Sequence, residues 1–221
     1  MMPMRDLGLI FDLDGTLIDS APDIHAIANR VLATEGLGPL SFDQVRSFIG
    51  NGVGVLIQRC LGALGYGDDP ALHARISARF AEIYEDTHDL TRTYPGVIEA
   101  LDLLAARYPL ALCTNKPEAP TRAVLRHFGL LDLFPVIVGG DTLAERKPHP
   151  APLLLAQSRL STRRHLFLGD SEVDAETAKN AGVPFLLYTE GYRKTAPQSL
   201  GATLIFDNWS SLPAKIAALP L

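Results

Sequence analysis

The fold of this chain is decided by the stretch Leu7-Gly-Leu-Ile-Phe-Asp-Leu-Asp-Gly-Thr16. It opens with a short apolar run, which is typical of a strand covered on both faces in a parallel sheet. Asp12 and Asp14 follow this run, and α/β sheets bind ligands in the crevice at this end of their strands. Gly15 allows a tight turn that leaves backbone N–H groups free for an anion. The stretch therefore predicts either two functional carboxylates at a ligand crevice or a polar strand end with an Asp-Gly turn.

Further short apolar runs alternate with helix-like segments along the rest of the chain. The additional predicted strands are Leu110–Cys113, Val136–Val138, His165–Leu168 and Pro184–Tyr188. The helices predicted between and around them are Val97–Arg107, Thr121–Phe128, Ala151–Leu160 and Val173–Ala181. Because strands and helices alternate, the sequence predicts an α/β fold with a doubly wound parallel sheet.

Residues 17–92 interrupt this alternation, because only helical patterns are found there. The helices predicted in this region are Asp23–Thr34, Phe42–Phe48, Val55–Leu64 and Ala71–His88. The first of them is preceded by Ser20, whose spacing to Asp23 is that of a capping box, with a proline in the first turn. We therefore predict a core domain of residues 1–16 and 93–221, with residues 17–92 inserted after the first strand as a helical domain.

The composition is that of a globular enzyme and argues against several classes of protein. The chain has 221 residues with 20 Lys and Arg and 25 Asp and Glu, which gives a net charge of −5. This charge argues against a general nucleic-acid-binding protein, which needs a basic surface for phosphates. No apolar run approaches the ~18 residues of a membrane span, and Met1–Asp6 lacks the features of a signal peptide. Cys60 and Cys113 have no metal-binding spacing, so we expect reduced thiols in a cytoplasmic protein.

Other strand ends carry polar groups that complement the two acids of the opening stretch. Thr114 and Asn115 follow one strand, Asp170 follows another, and Asp174 lies in the next helix. Lys147 lies in a loop that two prolines stiffen. Each residue alone has a structural explanation, such as Asp174 complementing the positive N-terminus of its helix. Together, the acids suit Mg²⁺ and the lysine and hydroxyl suit phosphoryl oxygens, so the set predicts phosphoryl transfer with a carboxylate as possible nucleophile.

These residues resemble the four motifs of the haloacid dehalogenase (HAD) superfamily. The matching segments are Asp12-Leu-Asp-Gly-Thr-Leu-Ile-Asp19, Thr114-Asn115, Lys147, and Gly169-Asp170 with Asp174. The resemblance implies a Rossmann-like core, and it implies that residues 17–92 form the small helical cap domain of this superfamily. Within the superfamily the chain is most similar to phosphoglycolate phosphatases, in the segments Tyr94–Gly96, Thr114–Pro117, Gly139–Asp141 and Lys147–Pro150.

The resemblance also implies roles for single residues. Asp12 would attack phosphorus and form an aspartyl-phosphate, and Asp14 would act first as the acid and then as the base. The implied Mg²⁺ ligands are Asp12, the backbone carbonyl of Asp14, and Asp170. Asp174 would orient Lys147 or a metal-bound water, and Lys147 would bind phosphoryl oxygens as a third catalytic residue. The expected substrate-binding residues are Gly15, Thr114, Asn115 and, from residues 17–92, Asn51.

The helical region offers several candidates for substrate recognition. The loop Ile49–Gly54, which contains Asn51, exposes backbone donors, although a simple turn between two helices explains it equally well. The arginines of residues 17–92 could each bind a carboxylate of the substrate. They are Arg30, Arg46, Arg59, Arg75, Arg79 and Arg92. The sequence does not choose among these candidates.

The implied activity is Mg²⁺-dependent hydrolysis of a small phosphate monoester, with 2-phosphoglycolate as the first candidate. Inorganic pyrophosphatase and sugar-phosphate phosphatase remain alternatives. A β-phosphoglucomutase-like enzyme fits less well, because those enzymes typically use basic cap residues that include lysine, and no lysine precedes Lys116 here. A non-catalytic binding or regulatory protein is a further alternative, although both acids of the first motif are present. The role of Asp19 and the choice between monomer and homodimer stay open.

Overall fold

A computed structural model describes residues 6–220 of the chain. Residues 1–5 and 221 lie outside the described residues. Two predictions fall on them, namely that they belong to the core domain and that the N-terminal segment lacks the features of a signal peptide. The strands are β1 (Leu7–Phe11), β2 (Ile18–Asp19), β3 (Arg92–Thr93), β4 (Leu110–Cys113), β5 (Val136–Val138), β6 (Arg164–Gly169), β7 (Phe185–Tyr188) and β8 (Leu204–Phe206). The α-helices are α1 (Ala21–Thr34), α2 (Phe42–Phe48), α3 (Val53–Ala63), α4 (Pro70–Tyr84), α5 (Val97–Ala105), α6 (Glu118–His127), α7 (Ala151–Arg159), α8 (Glu172–Ala181) and α9 (Leu212–Ala217).

The main sheet is parallel throughout and has the strand order β5-β4-β1-β6-β7-β8. β1 lies near its centre, where Leu9 is opposite Leu110 of β4 on one side and Leu166 of β6 on the other. The chain places β4 and β5 on one side of β1, and then β6, β7 and β8 on the other. The sheet confirms the predicted doubly wound α/β fold, and its strand order reverses beside β1, where such folds bind ligands.

The apolar residues of β1 divide between the two faces of the sheet. Leu9 and Phe11 belong to a buried cluster with Trp209, whereas Ile10 belongs to a second cluster with Phe167. All residues of β1 are buried, since α5, α6 and α9 cover one face of the sheet and α7 and α8 cover the other. Burial of one large apolar side chain contributes about 1.5–3 kcal/mol, which explains why β1 has no polar position.

Helices α1–α4, which we call the cap, pack around an apolar cluster of their own. The buried members of this cluster all lie between Ile24 and Tyr84. The chain enters and leaves the cap through the antiparallel pair β2–β3, in which Ile18 lies opposite Thr93. The expectation that residues 17–92 contain no strand is therefore wrong at both ends, because two-residue strands leave no apolar pattern. The division into two domains stays a prediction.

Some predicted element ends also differ from the observed ones. Helix α4 ends at Tyr84 rather than His88, because Tyr84 is its last buried residue. Helix α6 begins at Glu118 rather than Thr121, since a proline is tolerated in the first turn of a helix. β8 and α9 have no counterpart in the sequence prediction, because both are short. Across residues 6–220, no helix is long and apolar enough to cross a membrane.

Candidate active site

Five polar residues lie at the carboxyl ends of the central strands. Asp12 follows β1, Thr114 follows β4 and Asp170 follows β6. Lys147 lies in the loop before α7, and Asp174 lies in the first turn of α8. All five residues are buried. They lie near one another because the carboxyl ends of parallel strands share one edge of the sheet.

Lys147 forms the electrostatic centre of this group. Its Nζ lies 2.8 Å from Oδ1 of Asp12 and 2.6 Å from Oδ1 of Asp174. Burial lowers the pKa of Lys147, but the two facing carboxylates raise it by more, so the ammonium stays charged. Burial raises the pKa of Asp12 to about 7, although Lys147 acts in the opposite direction. The pair therefore combines a fixed cation with a carboxylate that is protonated more readily than usual.

Asp174 is held in place by the start of α8. Its Oδ2 accepts hydrogen bonds from the backbone N–H of Asp170 and from the backbone N–H and hydroxyl of Ser171. The Ser171 hydroxyl in turn accepts from the backbone N–H of Asp174, which completes a capping box. With Oδ2 fixed in this way, Oδ1 points at Lys147. This geometry suits the predicted role of orienting that lysine.

Asp170 differs from Asp12 and Asp174 in that it forms no ion pair with Lys147. Its Oδ1 accepts from the Thr16 hydroxyl at 2.8 Å, and its Oδ2 accepts from the backbone N–H of Tyr192 at 2.6 Å. Burial and the neighbouring acids raise the pKa of Asp170. The side chain packs tightly on Gly15, where a Cβ would lie only 2.5 Å from Oδ2 and where φ is +87°. A glycine is required there for both reasons.

The carboxylates fit a divalent cation. One oxygen atom each from Asp12, Asp170 and Asp174 lie within 4.8 Å of one another. Hard cations such as Mg²⁺ prefer carboxylate oxygens, and a bound positive charge would offset the burial and the mutual repulsion that raise the pKa values of Asp12 and Asp170. Asp174 is the least available of the three, because its Oδ2 accepts three hydrogen bonds and its Oδ1 contacts Lys147. Each oxygen of Asp170 accepts only one hydrogen bond, so Asp12 and Asp170 are the better side-chain ligands.

Asp14 has its hydrogen-bond partners outside this carboxylate group. Its Oδ1 accepts from the Ser20 hydroxyl at 2.6 Å and lies 3.4 Å from Nζ of Lys116. Ser20 precedes α1, but its side chain forms no capping bond, and Asp23 instead accepts from the backbone and hydroxyl of Thr91. The predicted capping box is therefore wrong, because both side chains have partners elsewhere.

The crevice beside these residues lies between the core and the cap. Its core side is polar and consists of Asp12, Asp14, Thr114, Asn115 and Lys116. Its cap side is mostly apolar and consists of Ile24, Ile49, Gly50, Gly52, Val53, Leu56, Phe80 and Tyr84. The site thus joins a charged end, suited to a phosphoryl group, to an apolar wall that limits the size of a leaving group.

Three of the expected substrate-binding residues have other partners in this structure. The backbone N–H of Gly15 donates to Ile18, so it is not free for an anion as we expected. The Asn115 amide accepts from the backbone N–H of Lys147 and donates to the carbonyls of Lys147 and Gly50. The Asn51 side chain accepts from Arg59 and lines a neighbouring cavity rather than the crevice. Substrate binding by these three residues stays a prediction.

The loop after β7 supplies a residue that the sequence did not reveal. The Tyr192 hydroxyl donates to Asp19 and accepts from the backbone N–H groups of Ser20 and Ala21. Its backbone N–H holds Asp170. Tyr192 thus connects the entry to the cap with the carboxylate group, over a separation of 172 residues from Ser20. No local sequence pattern could have indicated this contact.

Comparisons with known proteins identify a family and several relatives. The family model described as haloacid dehalogenase-like hydrolase matches residues 9–188. A phosphoglycolate phosphatase of Cereibacter sphaeroides is 51% identical over 208 residues, which are 93% of this chain and 95% of that protein. A phosphoglycolate phosphatase of Rhodospirillum rubrum is 43% identical over 212 residues, which cover 92% of this chain and 88% of that protein.

A solved structure extends the similarity to the whole fold. The crystal structure of a predicted phosphoglycolate phosphatase from Haemophilus somnus has a TM-score of 0.89 and is 34% identical in sequence. The match covers 98% of this chain and 100% of that chain, so it includes the cap as well as the sheet.

Proposed function

Because the chain belongs to the haloacid dehalogenase-like hydrolases, we propose that it is a Mg²⁺-dependent phosphatase that hydrolyses 2-phosphoglycolate to glycolate and phosphate. The names of its relatives support a phosphatase acting on this ester. The observation that carries the proposal is the buried Lys147 ammonium between Asp12 and Asp174. It places a fixed positive charge where a carboxylate nucleophile and a phosphoryl group would meet.

Asp12 is the proposed nucleophile. One of its carboxylate oxygens forms a bond to phosphorus while the bond between phosphorus and the ester oxygen breaks. The electron pair of the broken bond goes to the ester oxygen, which takes a proton from Asp14. Asp14 then removes a proton from a water molecule, whose oxygen attacks phosphorus and releases Asp12. The contact of Asp14 with the Ser20 hydroxyl orients its carboxyl group for both proton transfers.

The phosphoryl oxygens are stabilised by positive charge and by hydrogen-bond donors. Lys147 and the Thr114 hydroxyl are the proposed protein groups, and Asp174 keeps Lys147 in position. Asp12, Asp170 and the backbone carbonyl of Asp14 would hold Mg²⁺, which would supply further positive charge to these oxygens.

The cap closes the crevice in this proposal. An aspartyl-phosphate must be shielded until the leaving group has departed, and a closed cap excludes bulk water. The apolar wall that includes Ile24, Leu56 and Phe80 offers few hydrogen-bond partners to a hexose. This wall favours a small leaving group such as glycolate over the sugar of a sugar phosphate. A monomeric or homodimeric state and a cytoplasmic location remain predictions from the sequence.

The proposal is tested by phosphate release from a panel of substrates. The panel contains 2-phosphoglycolate, inorganic pyrophosphate, glucose 6-phosphate and p-nitrophenyl phosphate, each assayed with Mg²⁺ and with a chelator. We expect the highest kcat/KM for 2-phosphoglycolate, and no turnover with the chelator until Mg²⁺ is restored. Full activity after exhaustive chelation would contradict the metal requirement. Faster hydrolysis of pyrophosphate or the hexose ester would contradict 2-phosphoglycolate as the substrate but not the phosphatase mechanism.

A further inference from the structure

Lys116 is a second buried lysine at the crevice, and the mechanism above does not use it. Its Nζ donates to the Tyr84 hydroxyl and lies 3.8 Å from the centroid of that ring. Asp14 is its carboxylate neighbour, with Oδ1 at 3.4 Å. The Lys116 side chain is 4% exposed, so its ammonium has little access to water.

The two buried lysines of the site differ in how well their charge is balanced. Lys147 lies within 2.8 Å of two carboxylates. Lys116 meets Asp14 at 3.4 Å, and the oxygen it meets already accepts a 2.6 Å hydrogen bond from Ser20. A buried ammonium whose carboxylate neighbour is distant and already hydrogen-bonded to another group is stabilised when an anionic ligand binds beside it.

The surroundings of Lys116 indicate that this ligand comes from the crevice. The side chains opposite it on the cap are mostly apolar and bring no cation. Among the described residues that line the crevice there is no arginine. Arg46 and Arg59 instead donate to the backbone carbonyls of Gly191 and Phe48. Lys116 is therefore the basic side chain that a second anionic group of the substrate would meet.

We propose that Lys116 binds the carboxylate of the substrate and so selects phosphate esters that carry a carboxylate beside the ester carbon. This inference rests on the proposed function, since it takes Asp14 as the group that reaches the ester oxygen. It adds a specificity-determining residue from the core to a reaction whose selectivity we had assigned to the cap.

The distances fit a two-carbon acid. One path from the ester oxygen to Nζ of Lys116 runs through Asp14. It consists of a hydrogen bond of about 2.8 Å and the 3.4 Å between Oδ1 of Asp14 and Nζ, so its length is about 6 Å. In 2-phosphoglycolate, standard bond lengths place a carboxylate oxygen about 3 Å from the ester oxygen. With a hydrogen bond of about 2.8 Å from that carboxylate oxygen to Nζ, the path through the substrate is also about 6 Å long. The substrate can thus contact Asp14 and Lys116 together.

The test compares two esters that differ only in the group that Lys116 would bind. They are 2-phosphoglycolate and 2-hydroxyethyl phosphate, in which a CH₂OH group replaces the carboxylate. Lys116→Met keeps the length of the side chain and removes its charge. We expect this variant to lower kcat/KM for 2-phosphoglycolate by about 10- to 100-fold, as for a lost hydrogen bond to a charged group. The value for 2-hydroxyethyl phosphate should change by less than about threefold.

Two further variants control this comparison. Lys179→Met removes an exposed lysine of α8 and should leave both kcat/KM values unchanged. In the Asp12→Asn background, calorimetry measures binding of 2-phosphoglycolate without turnover. Adding Lys116→Met there should raise the Kd by the same factor as it lowers kcat/KM. If Lys116→Met fails to fold, Lys116→Gln makes the same test.

The outcomes separate this inference from the function on which it rests. Equal losses on both esters would overturn it and make Lys116 a residue that positions Asp14. A wild-type enzyme that hydrolyses both esters equally well would also overturn it, while leaving the phosphatase mechanism intact. If the wild type hydrolyses neither ester, the proposed function fails, and the inference fails with it.

Discussion

The core side and the cap side of the crevice hold their residues in different ways. On the core side, directed hydrogen bonds fix the polar side chains, as when Asp14 accepts from the Ser20 hydroxyl and Asn115 accepts from the backbone N–H of Lys147. On the cap side, the wall consists mostly of apolar side chains, whose positions depend on packing among α1–α4. The difference indicates that the core fixes the chemistry, whereas the cap limits which leaving groups fit.

Several polar contacts join the two sides, among them the hydrogen bond from Lys116 to the Tyr84 hydroxyl. Asn115 donates to the carbonyl of Gly50 in the cap, and Arg46 of the cap donates to the carbonyl of Gly191. Neither contact involves an oxygen of the carboxylate group. These two contacts can therefore break without disturbing the carboxylates, as opening of a lid requires.

The largest effect is expected on the core side, at Asp12. Asp12→Asn removes the proposed nucleophile while the amide keeps the shape of the side chain. We expect kcat to fall by about 10⁴-fold or more, equally for 2-phosphoglycolate and p-nitrophenyl phosphate. Steady-state phosphate release measures the loss, and circular dichroism checks the fold. A variant that keeps more than about a tenth of the wild-type kcat would exclude Asp12 as the nucleophile.

The next largest effect is expected at Lys147. Lys147→Ala removes the buried charge that we propose faces the phosphoryl group, so kcat should fall by about 10²–10³-fold for both substrates. Lys179→Ala, at an exposed position of α8, is the matched control. A change confined to KM would instead make Lys147 a residue of uniform substrate binding.

The third prediction concerns the core side of the crevice and the stability of the metal-free protein. Burial raises the pKa of Asp12 from 3.8 to about 7, so between these values the folded protein holds a proton that the unfolded chain has released. The contribution of Asp12 to the free energy of unfolding should therefore fall as the pH rises from about 4 to 7, by up to about 1.4 kcal/mol per pH unit. Urea unfolding in a chelator, compared between the wild type and Asp12→Asn, measures this slope. A wild-type stability that rises over this range relative to that of the variant would contradict the prediction.

The smallest effect is expected on the cap side, at Val53. This half-buried residue lines the crevice, and Val53→Phe would narrow it. We expect kcat/KM for p-nitrophenyl phosphate to fall by about tenfold, with less than about threefold change for 2-phosphoglycolate. Val55→Phe, at an exposed position of the same helix, is the control. Equal losses on both substrates would show that the cap wall does not discriminate between leaving groups.

The sequence predicts the core side better than the cap side, for a physical reason. Strands β1, β4 and β5 match their predicted bounds, because a strand buried on both faces must be apolar throughout. Asp12, Thr114 and Asp170 follow such strands, so the topology of the sheet brings them together. β2 and β3 have no such pattern, since each contains only two residues.

Contacts that depend on how distant segments meet could not be predicted. Lys116 was visible as the first lysine of the chain, but its contact with Tyr84 depends on where α4 ends. Tyr192 contacts Ser20 only because the loop after β7 returns to the entry of the cap. A resemblance to a family identifies residues with shared roles, whereas contacts of this kind require coordinates.

The most direct test of the central claim is to locate the phosphoryl group on the enzyme. Asp14→Asn should slow hydrolysis of the aspartyl-phosphate, and p-nitrophenyl phosphate should still form it, because its leaving group departs without a proton. The variant is mixed with this ester and Mg²⁺, quenched in acid and mapped by tandem mass spectrometry. We predict phosphate on Asp12. Phosphate on another residue, or turnover without any phosphorylated residue, would contradict the proposed mechanism.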